Sequence, residues 1–166
     1  MRHLIHRPRT AWGTMTAGII LAVASCLSAA DADEDAKTVA VTILGIHATN
    51  EEKPHVAPAL KSIAKQLKRY KFNSFRLVVK ETRSVRLGKH WELPMLEGYC
   101  RRVVPTETHE DRVKMEVAWI QYVKDKEGKR KPHVHERMVM LIGKGKYLLT
   151  AVKLKKGALV GALAVK

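Results

Sequence analysis

The chain has 166 residues, and its 31 lysines and arginines outnumber its 16 aspartates and glutamates, which gives a formal net charge of +15 at pH 7. A chain of this length forms one domain with a modest core, and two cysteines are too few for a disulfide-based scaffold. Such an excess of positive charge favours binding to polyanions: anionic lipid head groups, acidic polysaccharide or nucleic acid.

The first thirty residues have the three zones of a secretory signal. Residues 1–9 contain arginines and no acidic residue, and residues 15–27 form an uncharged apolar run. That run is too short to cross a hydrocarbon core of about 30 Å, but it fits the central zone of a signal peptide. Ser28, Ala29 and Ala30 supply small residues for signal peptidase, so we predict a signal peptide over residues 1–30 with cleavage after Ala30.

A bacterial lipoprotein signal is the alternative interpretation of this segment. Residues 23–26 read Val-Ala-Ser-Cys, in which Cys26 would be lipidated and would become the new N-terminus. Both interpretations place the mature protein in the periplasm or outside the cell, and lipidation would anchor it in the envelope. Neither leaves a transmembrane span in the mature protein.

The mature chain is predicted to begin with a flexible acidic segment, residues 31–36, followed by a single α+β domain over residues 37–166. Residues 38–47 are rich in β-branched side chains without strict alternation. This pattern predicts a strand that is covered on both faces.

An exported protein seldom meets nucleic acid, so we expect no specific nucleic-acid partner.

The clearest helical pattern begins near Pro58. Apolar side chains recur there at spacings of three and four and form one stripe: Leu60, Ile63, Ala64, Leu67 and Tyr70. We interpret this segment as an amphipathic helix that packs on a sheet. A helix lying on a membrane surface is the alternative.

Strand patterns dominate the rest of the chain. The predicted strands cover residues 75–79, 99–104, 113–119, 134–142, 147–154 and 158–165. Pro105 is expected to end the second of them, and the last three are expected to form an antiparallel meander. The fold prediction is therefore α+β, with one amphipathic helix packed on a mostly antiparallel sheet or a small β-sandwich. The apolar residues 91–99 either plug the end of the sheet or present a contact surface.

No motif of a known catalytic centre is present. The sequence lacks G-x-S-x-G, H-E-x-x-H, C-x-x-C and a phosphate-binding glycine loop. Cys100 is the only cysteine left after loss of the signal, and we interpret it as a small buried residue. We predict that the protein is not an enzyme and that it needs no cofactor; an enzyme of unrecognised type is the alternative.

A metal site is the main alternative. His133 and His135 stand two residues apart in a strand pattern, so both imidazoles point to one face and could bind copper or zinc. A third ligand would have to come from elsewhere, for example from His109 or His90. Without one, the pair is interpreted as polar residues at the exposed start of a strand.

Several segments resemble a group of small exported proteins of unknown function in planctomycete-like and myxobacterial-like bacteria. The resemblance rests on Ala-Thr-Asn at residues 48–50, on residues 58–68, on Phe-Asn-Ser-Phe-Arg-Leu at residues 72–77 and on the Leu-Pro pair at residues 93–94. It implies export and a shared fold, and it assigns no catalytic residue.

The favoured function is a non-enzymatic envelope domain with a basic face. The face would bind a partner protein, an anionic polymer or a lipid surface. Its candidate residues are Lys61, Lys65, Lys68, Arg69, Arg101, Arg102, Lys129, Arg130 and Lys131.

Overall fold

The computed structural model describes residues 37–166. The predicted signal peptide, the acidic segment and Cys26 lie outside the described residues. Strand accounts for 64% of the described part. Its strands are β1 (Thr38–Thr49), β2 (His55–Val56), β3 (Ser74–Arg86), β4 (Trp91–Pro94), β5 (Tyr99–Thr108), β6 (Arg112–Lys124), β7 (Arg130–Gly143), β8 (Tyr147–Lys153) and β9 (Ala158–Val165).

The strands form two sheets that pack as a β-sandwich. The first sheet has the order β2-β3-β1-β9-β8, and the second has the order β4-β5-β6-β7. Neighbouring strands are antiparallel, except that the short β2 runs parallel to β3. Val41 and Ile43 of the first sheet share one buried cluster with Val103 and Met115 of the second, so the main core lies between the two sheets.

The prediction of an α+β fold with an amphipathic helix is wrong. The helical segment, residues 58–67, consists of a 3-10 helix (Pro58–Ile63) and one α-helical turn (Ala64–Leu67). No side chain caps its start and no acidic residue lies in its first turn, while a short helix needs such support to extend. No helix among the residues described here is long and apolar enough to span a membrane.

The last three strands do not form the predicted meander. Strand β7 pairs with β6 in the second sheet, whereas β8 and β9 pair with each other in the first. The turn between β7 and β8 therefore carries the chain from one sheet to the other. Gly145 has a φ of 75° in this turn, a conformation that glycine adopts without steric cost.

Strand β1 is covered on both faces, which confirms that prediction. Ile43 faces the second sheet, while Leu44 and Ile46 belong to a cluster on the opposite side. The helical segment supplies part of that outer cluster through Leu60, Ile63 and Leu67, each at most 1% exposed. The segment thus covers the outer surface of the first sheet.

Residues 91–99, expected to plug the end of the sheet or to present a contact surface, begin with β4, an edge strand that pairs with β5. Trp91 and Leu93 belong to β4 and are buried in the main core.

Strand β5 continues past Pro105 to Thr108, contrary to prediction, because the register shifts between Pro105 and Glu107. A bulge of this kind accommodates a residue that has no N–H group for the ladder.

Candidate functional site

The basic residues of the helical segment have no acidic partner. Lys61, Lys65, Lys68 and Arg69 are exposed, and within residues 37–166 none of them forms an ion pair with a carboxylate. Residues 53–80 contain no Asp or Glu at all. Positive charge is therefore left uncompensated on this side of the molecule.

The candidate residues in the β6–β7 hairpin are partly neutralised. Lys129 Nζ lies 3.3 Å from Glu127 Oε2, and Lys131 Nζ lies 3.0 Å from Asp125 Oδ2. The hydrogen bond from Lys131 is the main reason that the pKa of Asp125 is lowered. Arg130 is exposed. Only part of this loop's charge is available to an external anion.

Arg101 and Arg102 do not belong to an exposed basic face, which corrects that part of the prediction. Arg102 Nε donates to Glu92 Oε1 at 2.6 Å, so its charge is paired. Arg101 is only 1% exposed. Its register partner on β6 is the fully buried Trp119, and cross-strand partners share one face of a sheet, so this arginine points into the sandwich.

The guanidinium of Arg101 stacks on an indole ring in the core. Its Cζ lies 4.5 Å from the ring centroid of Trp119, and Trp119 Nε1 donates to Thr150 Oγ1 at 3.1 Å. Gly161 makes room for the indole, since a Cβ there would lie 2.8 Å from Trp119 Cζ2. In the described part of the chain, no nitrogen of the guanidinium has a hydrogen-bond partner.

A cleft of about 400 Å³ opens between the helical segment and β8. Its lining residues are Gln66, Arg69, Tyr70, Tyr147, Leu148 and Leu149. Burial raises the pKa of Tyr70, so this phenol stays neutral and can donate or accept a hydrogen bond. The cleft combines a cation, two phenols, an amide and apolar surface beside the uncompensated lysines.

The structure brings His133 and His135 together. Their ring centroids are 4.7 Å apart, and the ring of His135 lies 5.0 Å from that of Tyr99. His135 Nε2 lies 3.0 Å from Gln121 Oε1. Neither His90 nor His109 joins them, since residues 37–166 contain no group of three or more His, Cys, Asp or Glu side chains suited to a metal ion.

Cys100 is buried, as predicted, with 8% exposure. It lines a cleft of about 310 Å³ together with Tyr122 and Arg130. Burial raises the pKa of the Cys100 thiol, which keeps it in the poorly nucleophilic protonated form at neutral pH. This cleft therefore gives no sign of a catalytic thiolate.

Comparison with protein-family models, with curated proteins and with solved structures yields no match. The resemblance to small exported bacterial proteins stays a prediction.

Sequence reasoning missed Gln121 and Tyr147. The position of Gln121 could have been predicted from the sequence. Counting back from the hairpin turn at Gly128 places Gln121 opposite His133, and the two residues are paired between β6 and β7. The position of Tyr147 could not have been predicted in this way. Its place beside Tyr70 depends on how the helical segment crosses the first sheet, and no local pattern encodes that crossing.

Proposed function

We propose that this protein is an exported, non-enzymatic envelope domain that binds an anionic polymer or lipid surface through its helical segment. The observation that carries the proposal is the absence of any carboxylate partner for the four cations of this segment within the described residues. Charges already paired inside the protein gain less from an external anion.

Geometry favours the helical segment over the other candidates. Arg101 is buried and Arg102 is paired with Glu92, while Lys129 and Lys131 have carboxylates of their own. The helical segment is held in place by its apolar side chains in the outer cluster. Its lysines therefore project from a fixed base instead of from a free loop.

The cleft beside the segment offers more than charge. Arg69 can pair with a carboxylate, sulfate or phosphate, and Tyr70 and Tyr147 supply aromatic surface with hydroxyl groups. A polymer of acidic sugars or a lipid head group presents both features. A partner protein with an acidic surface is a separate outcome of the test.

The decisive variant replaces the four cations together: Lys61→Gln, Lys65→Gln, Lys68→Gln and Arg69→Gln. Each basic residue near an anionic surface contributes about 1 kcal/mol, so binding should weaken by at least about tenfold. The measurement is co-sedimentation with vesicles of anionic phospholipid and retention on an acidic polysaccharide, each across a salt series. Wild-type binding should fall as salt rises, because exposed charges are screened.

A matched control removes four lysines from the hairpin instead: Lys124→Gln, Lys126→Gln, Lys129→Gln and Lys131→Gln. The net charge changes equally, but binding should stay within about threefold of wild type. Equal losses in both variants would show that only net charge matters. Binding that stays flat from low to high salt would refute the proposal.

A further inference from the structure

A β-bulge organises the histidine pair. Trp119 pairs with Glu136 and Ile120 pairs with Val134, so His135 is an extra residue on β7. Bulges re-aim side chains and are common beside functional sites. Here the bulge places the His135 ring against Tyr99 and within hydrogen-bond distance of Gln121.

A hydrogen-bond chain fixes which nitrogen of His135 is available. Gln121 Nε2 donates to the backbone carbonyl of Glu97 at 3.1 Å, so the amide oxygen must face His135. That oxygen only accepts, and it lies 3.0 Å from His135 Nε2. His135 Nε2 therefore carries the proton, and the lone pair of a neutral ring is on Nδ1.

The spacing of the two rings suits a shared metal ion. A metal about 2.0–2.1 Å from a ring nitrogen lies about 3.2 Å from the ring centroid. Two rings that meet at such a metal at about 90–110° then have centroids about 4.5–5.2 Å apart. The observed separation between His133 and His135 is 4.7 Å.

We propose that His133 and His135 chelate a divalent transition-metal ion, with copper(II) preferred over zinc. His135 binds through Nδ1, and Gln121 is the positioning residue that holds its tautomer, as the hydrogen-bond partners of metal-binding histidines do. Both histidines are exposed, so solvent completes the coordination. Copper(II) is preferred because nitrogen ligands follow the Irving–Williams order and because copper accepts a tetragonal site with open positions.

The test titrates the purified, untagged protein with copper(II) and, separately, with zinc(II) in a calorimeter. Electron paramagnetic resonance then counts the nitrogen ligands of bound copper. We expect one copper site with two imidazole nitrogens and weaker zinc binding. The His133→Ala/His135→Ala variant should lose at least about tenfold in copper affinity.

The matched control is His55→Ala/His90→Ala, which removes two exposed imidazoles outside the cluster and should bind like wild type. Gln121→Leu should lower copper affinity by about 10–100-fold while far-ultraviolet circular dichroism stays unchanged. Equal copper binding by the wild type and His133→Ala/His135→Ala overturns the site. Wild-type affinity in Gln121→Leu overturns the assignment of Nδ1. Neither result bears on polymer binding, which uses the helical segment.

Discussion

Arg101 has the most costly environment of any charged residue in the described domain. Its guanidinium is buried in the sandwich without a hydrogen-bond partner among residues 37–166, and only the face of Trp119 and the more distant charge of Glu136 favour it there. A cation–π contact contributes about 0.5–2 kcal/mol, whereas removing a charge from water costs several kcal/mol. The native residue therefore makes the fold less stable than an apolar side chain of similar length would.

Arg101→Met should raise the free energy of unfolding by about 1–3 kcal/mol, since methionine keeps the contact with Trp119 without the buried charge. Urea denaturation followed by tryptophan fluorescence measures the change. Arg137→Met is the control, because that arginine is exposed and paired with Glu116, and its effect should stay within about 0.5 kcal/mol. A destabilised Arg101→Met would mean that the guanidinium has a stabilising partner.

The same substitution should change how stability depends on pH. Burial lowers the pKa of Arg101 to about 10, while in the unfolded chain the guanidinium keeps its ordinary, higher pKa. Above pH 10 the unfolded state then binds more protons than the folded state, so stability rises with pH. The advantage of Arg101→Met over wild type should therefore shrink between pH 9 and pH 11. Paired urea titrations at each pH measure this difference.

The helical segment covers the outer face of the first sheet and presents its lysines outward. Leu67→Ala should cost about 2–4 kcal/mol of stability, because it opens a cavity in the outer cluster. Thermal unfolding measures the loss. Lys68→Ala, the exposed neighbour, should leave the melting temperature nearly unchanged. Similar melting temperatures for both variants would mean that the segment contributes little to the fold.

Local patterns predicted individual elements well where burial follows the period of the backbone. Alternation located β6, and the lack of alternation in β1 correctly indicated two covered faces. The stripe from Leu60 to Leu67 identified buried residues but not their backbone, because a short segment can bury the same side chains as a 3-10 helix. Pro105 was wrongly predicted to end β5, because a register shift accommodates the proline within the strand.

The candidate sites were predictable only in part, and the reason lies in long-range pairing. The exposed cations of the helical segment follow from local residue spacing alone, and so does the histidine pair. The burial of Arg101 does not, because it depends on Gly161, sixty positions away, leaving space for Trp119. Local patterns also did not predict that β7 and β8 belong to different sheets.

The domain should not depend on a disulfide. Cys100 is the free cysteine of residues 37–166 and is buried, so a reducing agent should leave the melting temperature unchanged. Thiol-reactive dye should label it much more slowly than an exposed cysteine, because burial raises its pKa and leaves only 8% of the residue exposed at the cleft. The control variant Ser84→Cys adds an exposed cysteine, which should react with the dye much faster than Cys100 does. Rapid labelling of Cys100 would contradict the described burial.

The pairing of β1 with β9 has a consequence for how the chain is made. β1 is the central strand of the first sheet, and its ladder runs from Val41 with Val165 to Ala48 with Ala158. That sheet cannot be completed before the last strand has left the ribosome, and ladders between such distant segments form slowly. In the export that we propose, this topology would keep the first sheet incomplete until synthesis is nearly finished.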